Sequence, residues 1–449
     1  MLPEAEPAAA PTAAPPLRVL FLDEGRSYRF DNRARRVVCS LRDAGARVTV
    51  VCPAYPGEPL REVMDDNIEC FRFRSVAGEF EALDAPGAGV MGHLLEYART
   101  IPQMALITAR LFMTRGFDVI HAVNPPDLLF TIAAPYKLLG RKWVFDHYDL
   151  NPELFEDRFG GSGARRLLPL VRLVEKLSIR LADHVITTNE SYRTIATSRC
   201  GKAPARVTVV RNGPDQRRFR PVPPQPEVRA LGEIVIGYLG NMNPQDGLDH
   251  FLEMARILRH ERGRTDLGFV LVGSGDSTSR LLELRREYGL EECMMLPGRL
   301  PAEQMVSHLC AADICVQPDP PGRLNDVSTM NKAMEYMALG KAVVSYDLAE
   351  TRVTGGDIIR YVQGGQPLGL AEAVLELADD PERRGQLGRA GLERVTEQLG
   401  WQHQVDSLVS VYEDLFPGRL DREAAQAAHA VNTPDAAGSP TEDAGEGIA

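Results

Sequence analysis

"STMNKAMEYMALGKAVVSYDLAETR", residues 328–352, decides the architecture of this chain. Met330, Met334, Met337 and Ala338 recur at helical spacing, and Gly340 ends the run ahead of the apolar Ala342-Val343-Val344-Ser345. The spacing predicts a helix, capped by Ser328 or Thr329, that feeds a buried strand. One acidic side chain, Glu335, interrupts the apolar pattern. Asn331 and Lys332 stand one turn earlier, and the preceding Arg323-Leu324-Asn325-Asp326 is also polar. A polar ligand is expected at this end of the helix.

The same helix-then-strand alternation extends outward in both directions. Short apolar runs at 17–23, 47–53, 117–123, 142–148, 183–189 and 206–213 are separated by helical stretches, the order that gives a parallel sheet with helices on its faces. A proline-rich break, "RPVPPQPEVRALGE", follows at 220–233. A second set of runs then begins, at 234–242, 267–276, 293–300, 312–319 and 341–347. The expected organisation is a leader at 1–16, a Rossmann-like domain at 17–222, a linker at 223–232, a second Rossmann-like domain at 233–397, a helix at 398–417 and a disordered tail at 418–449. Two doubly wound α/β domains joined in this way leave a cleft between the carboxyl ends of their sheets, where ligands of open α/β sheets bind.

Composition narrows the partners. Among 449 residues, 62 acids outnumber 51 Lys and Arg, and the formal net charge of -11 argues against nucleic acid. The seven cysteines are scattered, with no CxxC, and read as reduced thiols of a cytoplasmic protein. The opening "MLPEAEPAAAPTAAPP" has acids and prolines where a secretion signal needs a basic end and an apolar run. No run reaches the roughly 18 to 20 apolar residues of a spanning helix, so membrane contact is expected to be peripheral, at the inner face of the cell membrane.

Nucleotide motifs are mostly absent. After "FVLV" come Gly273-Ser274-Gly275-Asp276-Ser277-Thr278, without the third glycine of a dinucleotide fingerprint, and GxxxxGK[ST] does not occur. The sequence also lacks Asp-x-Asp, the pair that commonly holds a divalent ion against a diphosphate. No metal and no cofactor are expected. A bound diphosphate would have to be neutralised by amides, helix dipoles and side chains.

The order "YLGNMNPQDGLDHFLEMARIL", "FVLVGSGD", "PGRLPAEQMVSHLCAADICVQPD" and "MNKAMEYMALGKAVVSYDLAETR" resembles the donor domain of retaining glycosyltransferases of family 4, which have the GT-B fold. "FDHYDLNPELF" (145–155) together with "NDVSTMNK" resembles the subset that assembles exopolysaccharide and other cell-surface glycans. The resemblance implies a nucleoside diphosphate sugar as co-substrate, UDP-sugar first and GDP-sugar second. It further implies retaining, metal-independent transfer to a carbohydrate or polyprenyl-linked acceptor, and a final helix that crosses back onto the first domain. Glu335 becomes a clamp for the ribose, with the helix amino terminus facing the diphosphate. Gly240, Asn241, Gly273, Gly275, Asp326, Asn331 and Lys332 complete the expected donor site. The sequence departs from the family at three places: Val327 stands where the first glutamate of the Glu-x7-Glu pair belongs, and Asn241 and Asp246 stand near the usual Arg and Lys. Lys332, Arg323 or backbone around Gly240 must replace those cations.

Acceptor-side candidates come from strand ends of the first domain. "DHYDLNPE" offers Asp146, His147, Asp149 and Glu153; "DVIHAVNPPD" offers His121, Asn124 and Asp127; and "RSYRFDNRARR" offers Arg33 among five arginines. His147, Asp149 and His121 are the catalytic candidates, and Arg33, Asn124, Asp146 and Glu153 the acceptor-binding ones. "ARRLLPLVRLVEKLSIRL" (164–181) interleaves cations with leucines, which suits a helix lying on an anionic membrane or one packing its leucines on the sheet. Two further functional readings stay open: a nucleotide-sugar 2-epimerase on the same fold, and a non-catalytic nucleotide-sugar-binding partner in glycan assembly.

Overall fold

The computed structural model describes residues 15–64, 67–75, 90–159 and 163–429. Two sheets account for its strands. The first runs β3-β4-β2-β1-β5-β6-β7-β8 and comprises β1 (Arg18–Asp23), β2 (Arg47–Ala54), β3 (Arg61–Val63), β4 (Glu69–Arg74), β5 (Val119–Val123), β6 (Lys142–His147), β7 (His184–Thr187) and β8 (Val207–Val209). The second runs β11-β10-β9-β12-β13-β14 and comprises β9 (Ile234–Leu239), β10 (Leu267–Val272), β11 (Met294–Gly298), β12 (Ile314–Gln317), β13 (Ala342–Tyr346) and β14 (Arg360–Val362). Every pairing is parallel except β3 with β4. In each sheet the strand order reverses once, between β1 and β5 and between β9 and β12. Those switch points open a crevice at the carboxyl ends of the strands, which is where such sheets take ligands.

Central strands are buried on both faces and read as continuous apolar runs, as in "VIHAV" and "LGFVLV". In β1, Val19 and Phe21 enter one hydrophobic cluster while Leu20 and Leu22 enter another, which sets the two faces of the first sheet. One face is covered by helix α1 (Asn32–Asp43), the other by α2 (Val90–Thr114), α3 (Phe130–Leu138) and α4 (Leu168–Leu181). In the second domain, α5 (Asn331–Ala338) leads into β13 across the turn at Gly340, whose φ is +69°.

Helix α6 (Gln402–Leu415) belongs to the first domain although it follows the second in sequence. Trp401, Val405, Leu408 and Tyr412 share a core with Phe21, Val37 and Val38, and the Trp401 indole donates to Ser40 Oγ at 3.0 Å. The chain therefore crosses between domains twice, and the crossings touch: Trp401 N–H donates to the Pro214 carbonyl, and a Cβ on Gly213 would lie 1.9 Å from the Leu399 carbonyl oxygen.

Residues 418–449 were expected to be disordered. Helix α7 (Arg422–His429) instead packs on α1, with Ala425 buried and His429 Nε2 3.0 Å from Ser40 Oγ. Its alanine-rich "REAAQAAH" favours a helix, and its small side chains let it approach α1 closely. Residues 430–449 and most of the leader lie outside the described residues.

Candidate active site

Three glycines shape the donor-side crevice. Gly240 ends β9 with φ +154° and Gly273 ends β10 with φ +144°, both in the region that glycine tolerates best. A Cβ on Gly273 would sit 1.8 Å from the Gly240 carbonyl oxygen, and one on Gly275 2.6 Å from Asn243 Oδ1. The two strand-end loops thus cross at backbone contact. Their amides are already engaged: Gly240 N–H donates to Val272, Gly273 N–H to Gly298 and Gly275 N–H to Thr278 Oγ1. These glycines provide close approach, and the Gly240 amide itself is taken by the Val272 carbonyl.

Helix α5 opens at Asn331 without a side-chain cap. Ser328 and Thr329, expected as caps, are turned to the first domain: Tyr192 OH and Ser328 Oγ lie 3.0 Å apart, and Asn189 Nδ2 donates to Thr329 Oγ1 and to the Val327 carbonyl. Ala333 N–H donates to the Met330 carbonyl, and the Asn331 and Lys332 amides of the first turn have no acceptor among the described residues, which leaves them available to an anion. Asn331 Oδ1 is buried with no hydrogen-bond partner among the described residues, Asp326 lies half-buried in the turn just before, and Asn241 is exposed.

Lys332 departs from its expected role. Its ammonium donates to Asp319 at 2.8 and 3.1 Å, to Asp246 at 3.3 Å and to the Tyr238 hydroxyl, and it lies over the Tyr238 ring. Burial lowers its pKa, but Asp319, Tyr238 and Asp246 outweigh that and hold it well above normal. Two carboxylates and one ammonium leave this corner net negative, so Lys332 is no free phosphate ligand. Arg323, largely exposed, stands 3.7 Å from Glu156 of the first domain.

Glu335, one turn into α5, has no hydrogen-bond partner among the described residues. Burial raises its carboxyl pKa, opposed by Arg36, Lys332 and Arg218. Arg36 reaches over from α1, bonded to the Gly213 carbonyl and Asn212 and stacked on Trp401. Burial and Arg33 bring its own pKa down to about 10, against the pull of Glu335. Sequence reading missed Arg36 and Arg218 as partners of Glu335. Arg36 lies one turn after Arg33 in the same basic run, but nothing local shows which arginine faces the other domain.

The acceptor-side candidates separate. His121 is fully buried, its Nδ1 2.6 Å from the Tyr412 hydroxyl and its ring stacked on Phe21, so α6 seals it from any substrate. Asp146 and Arg33 form a buried bidentate pair at 2.8 and 2.9 Å, and Arg33 holds the carboxyl down to about 2 despite burial. Asn124 is a staple: its Oδ1 accepts from the Tyr148 and Asp149 amides and its Nδ2 donates to Asp127. Glu153 is bound by Arg199, and buried His147 has Nε2 3.5 Å from Glu175. Apart from the Asn124–Asp127 contact, three residues apart, each of these side chains is taken up by a partner distant in sequence. Asp149 differs. Its side chain is half-buried with no hydrogen-bond partner among the described residues; burial pushes its pKa up to about 6, with Arg26 and His147 opposing. It adjoins Tyr192, which meets Ser328 across the domain boundary.

Two doubly wound domains with a site between the carboxyl ends of their sheets define the GT-B class. Residues 31–213 match the glycosyl transferase 4-like domain and residues 233–380 match the glycosyl transferases group 1 domain, so the chain carries both halves of a GT-B glycosyltransferase. It is 26% identical over 254 residues to a 2-deoxystreptamine glucosyltransferase of Streptomyces kanamyceticus, an overlap of 55% of this chain and 64% of that protein's length. The structure of a sucrose-phosphate synthase from Thermosynechococcus elongatus superposes with TM-score 0.70 at 19% identity, over 89% of this chain and 99% of that one. That of HepE from Anabaena in complex with UDP-glucose superposes with TM-score 0.62 at 17% identity, over 89% and 99%. No helix among the described residues is long and apolar enough to cross a membrane.

Proposed function

We propose that the protein transfers a sugar from a nucleoside diphosphate sugar, UDP-sugar first and GDP-sugar second, to a carbohydrate or lipid-linked acceptor in cell-surface polysaccharide synthesis, with retention and without a required metal. The observation that carries this reading is Glu335: a carboxylate without a hydrogen-bond partner among the described residues, one turn into the uncapped helix at the switch point of the second sheet. Its place suits a ribose diol, and the first-turn amides suit the diphosphate. The UDP-glucose in the HepE complex supports UDP as the first base to try. In the transfer, the anomeric carbon–oxygen bond to the diphosphate breaks as the acceptor hydroxyl oxygen bonds to that carbon. Asp149 accepts the hydroxyl proton. Asp326 and Asn331 would bind the sugar.

The net-negative corner around Lys332 favours a second reading, a binding protein that holds a nucleotide sugar without turning it over. The test is thermal stability against UDP-, GDP-, ADP- and CDP-sugars for wild type and Glu335→Ala, followed by the labelled form of the stabilising sugar offered to lipid and glycan acceptors. One stabilising nucleotide lost in the variant, with label moved to an acceptor, supports transfer. Stabilisation without movement supports the binding protein, label released or isomerised without acceptor supports a 2-epimerase, and no stabilisation by any of them overturns the donor site.

A further inference from the structure

Helix α4 buries Leu168 and Ile179 against the protein but turns most of its leucines outward. Its polar Glu175 and Ser178 face the protein, bonded to Arg199 and to the Asp127 carbonyl, whereas Leu170, Leu173, Leu177 and Leu181 form one stripe that faces solvent, Leu170 56% and Leu173 50% exposed. A helix packing its leucines on the sheet would show the reverse order. On the same face of the sheet, α2 turns Met91, Leu95, Leu106 and Met113 outward, and the end of α3, between them, presents Leu138 at 90% exposure.

Charge is sorted with equal consistency. The only acids of α2, α3 and α4 and the turn leading into α3 are Glu96, Asp127 and Glu175, and all three are buried. The exposed charges of these helices are cations, among them Arg99, Arg110, Arg172 and Arg180, on a chain whose net charge is -11. Contiguous exposed apolar surface of this kind marks an interaction site, and leucines flanked by cations match the interface of an anionic bilayer.

We infer that the outer face of α2, α3 and α4 docks on an anionic lipid bilayer, its leucines entering the headgroup boundary while the arginines meet the lipid charges. The face works as a monotopic anchor that leaves the inter-domain crevice free, because the crevice opens at the carboxyl ends of the strands and not on this face of the sheet. It does not depend on the transferase reading, since docking is read without any sugar.

The test is flotation of the full-length chain with phosphatidylcholine vesicles and with vesicles that also contain phosphatidylglycerol. The chain is expected to float with the anionic vesicles, at least about tenfold less with neutral ones, and less as salt rises. Leu170→Ser with Leu173→Ser should abolish flotation even though the arginines remain, and Arg172→Glu with Lys176→Glu should abolish it even though the leucines remain. Leu106→Ser with Met113→Ser, on the neighbouring helix, gives an independent variant should the α4 changes unfold the protein. Equal binding to neutral vesicles, or retention of binding by the α2 and α4 variants, overturns the inference. So does self-association in sedimentation that the leucine variants abolish while vesicles bind nothing, which would assign the face to a second copy of the chain.

Discussion

At the scale of single residues, function turns on which charges are left free. Lys332 is held by Asp319 and Asp246 beside the donor crevice, so removing one acid should make room for a diphosphate. Asp246→Asn is expected to tighten nucleoside diphosphate binding about fivefold, from roughly 1 kcal/mol less repulsion, as read by titration calorimetry. Unchanged or weaker binding would show that the diphosphate sits far from this cluster. Asp149 gives a pH signature. Its carboxyl is raised to about 6, so it is protonated and unable to accept a proton at lower pH. Turnover per bound acceptor should therefore fall on the acid side with a midpoint near 6 and stay level above it, and Asp149→Asn should remove that limb. A limb that persists in the variant would assign the proton acceptor to another group.

At the scale of elements, α1 is tied to β6 by the buried Arg33–Asp146 pair. Breaking it leaves the buried carboxylate with only the His121 ring, 3.5 Å away, for company, so Arg33→Ala should cost about 3 kcal/mol in chemical denaturation. The sign with pH follows from the lowered pKa. Asp146 ionises at about 2 in the fold against 3.8 unfolded, so its stabilisation is present above pH 3.8 and is lost as pH falls towards 2. That acid loss, about 2 kcal/mol, should be absent in the variant. The same pair shows what was legible beforehand. Strand and helix periodicity follow from apolar spacing along the chain, so the helix at 331–338 and both sheets, apart from β3, β4 and β14, could be read from residues a few positions apart. The destiny of Arg33, His121 or Glu153 depends on partners 113, 291 and 46 residues away, and a local pattern holds no record of them. Glu335 could be singled out because it interrupts a local apolar pattern, but Arg36 and Arg218, the cations that face it, are distant in sequence and could not be read. The outward leucines of α4 could not be read either, because a stripe of leucines looks the same whether it points in or out.

At the scale of the whole molecule, the two domains meet at a seam and at a double crossing. Asn189, Ser191 and Tyr192 hold Val327, Glu350 and Ser328, and Gly213 lies against Leu399. Gly213→Ala would push a methyl group into the Leu399 carbonyl and is expected to cost about 1 to 3 kcal/mol. A thermal midpoint unchanged from wild type would mean that the crossing relaxes freely.

Because α6 and α7 complete the core of a domain whose strands are all made before residue 210, that domain is discontinuous in the gene. During synthesis the first sheet emerges early yet has no lid over Phe21 and Val37 until Tyr412 has left the ribosome, some 200 residues later. A fragment cut at the linker would therefore be an unfinished domain with a greasy flank. The second domain, made entirely within that interval, is the part of the chain free to mature first.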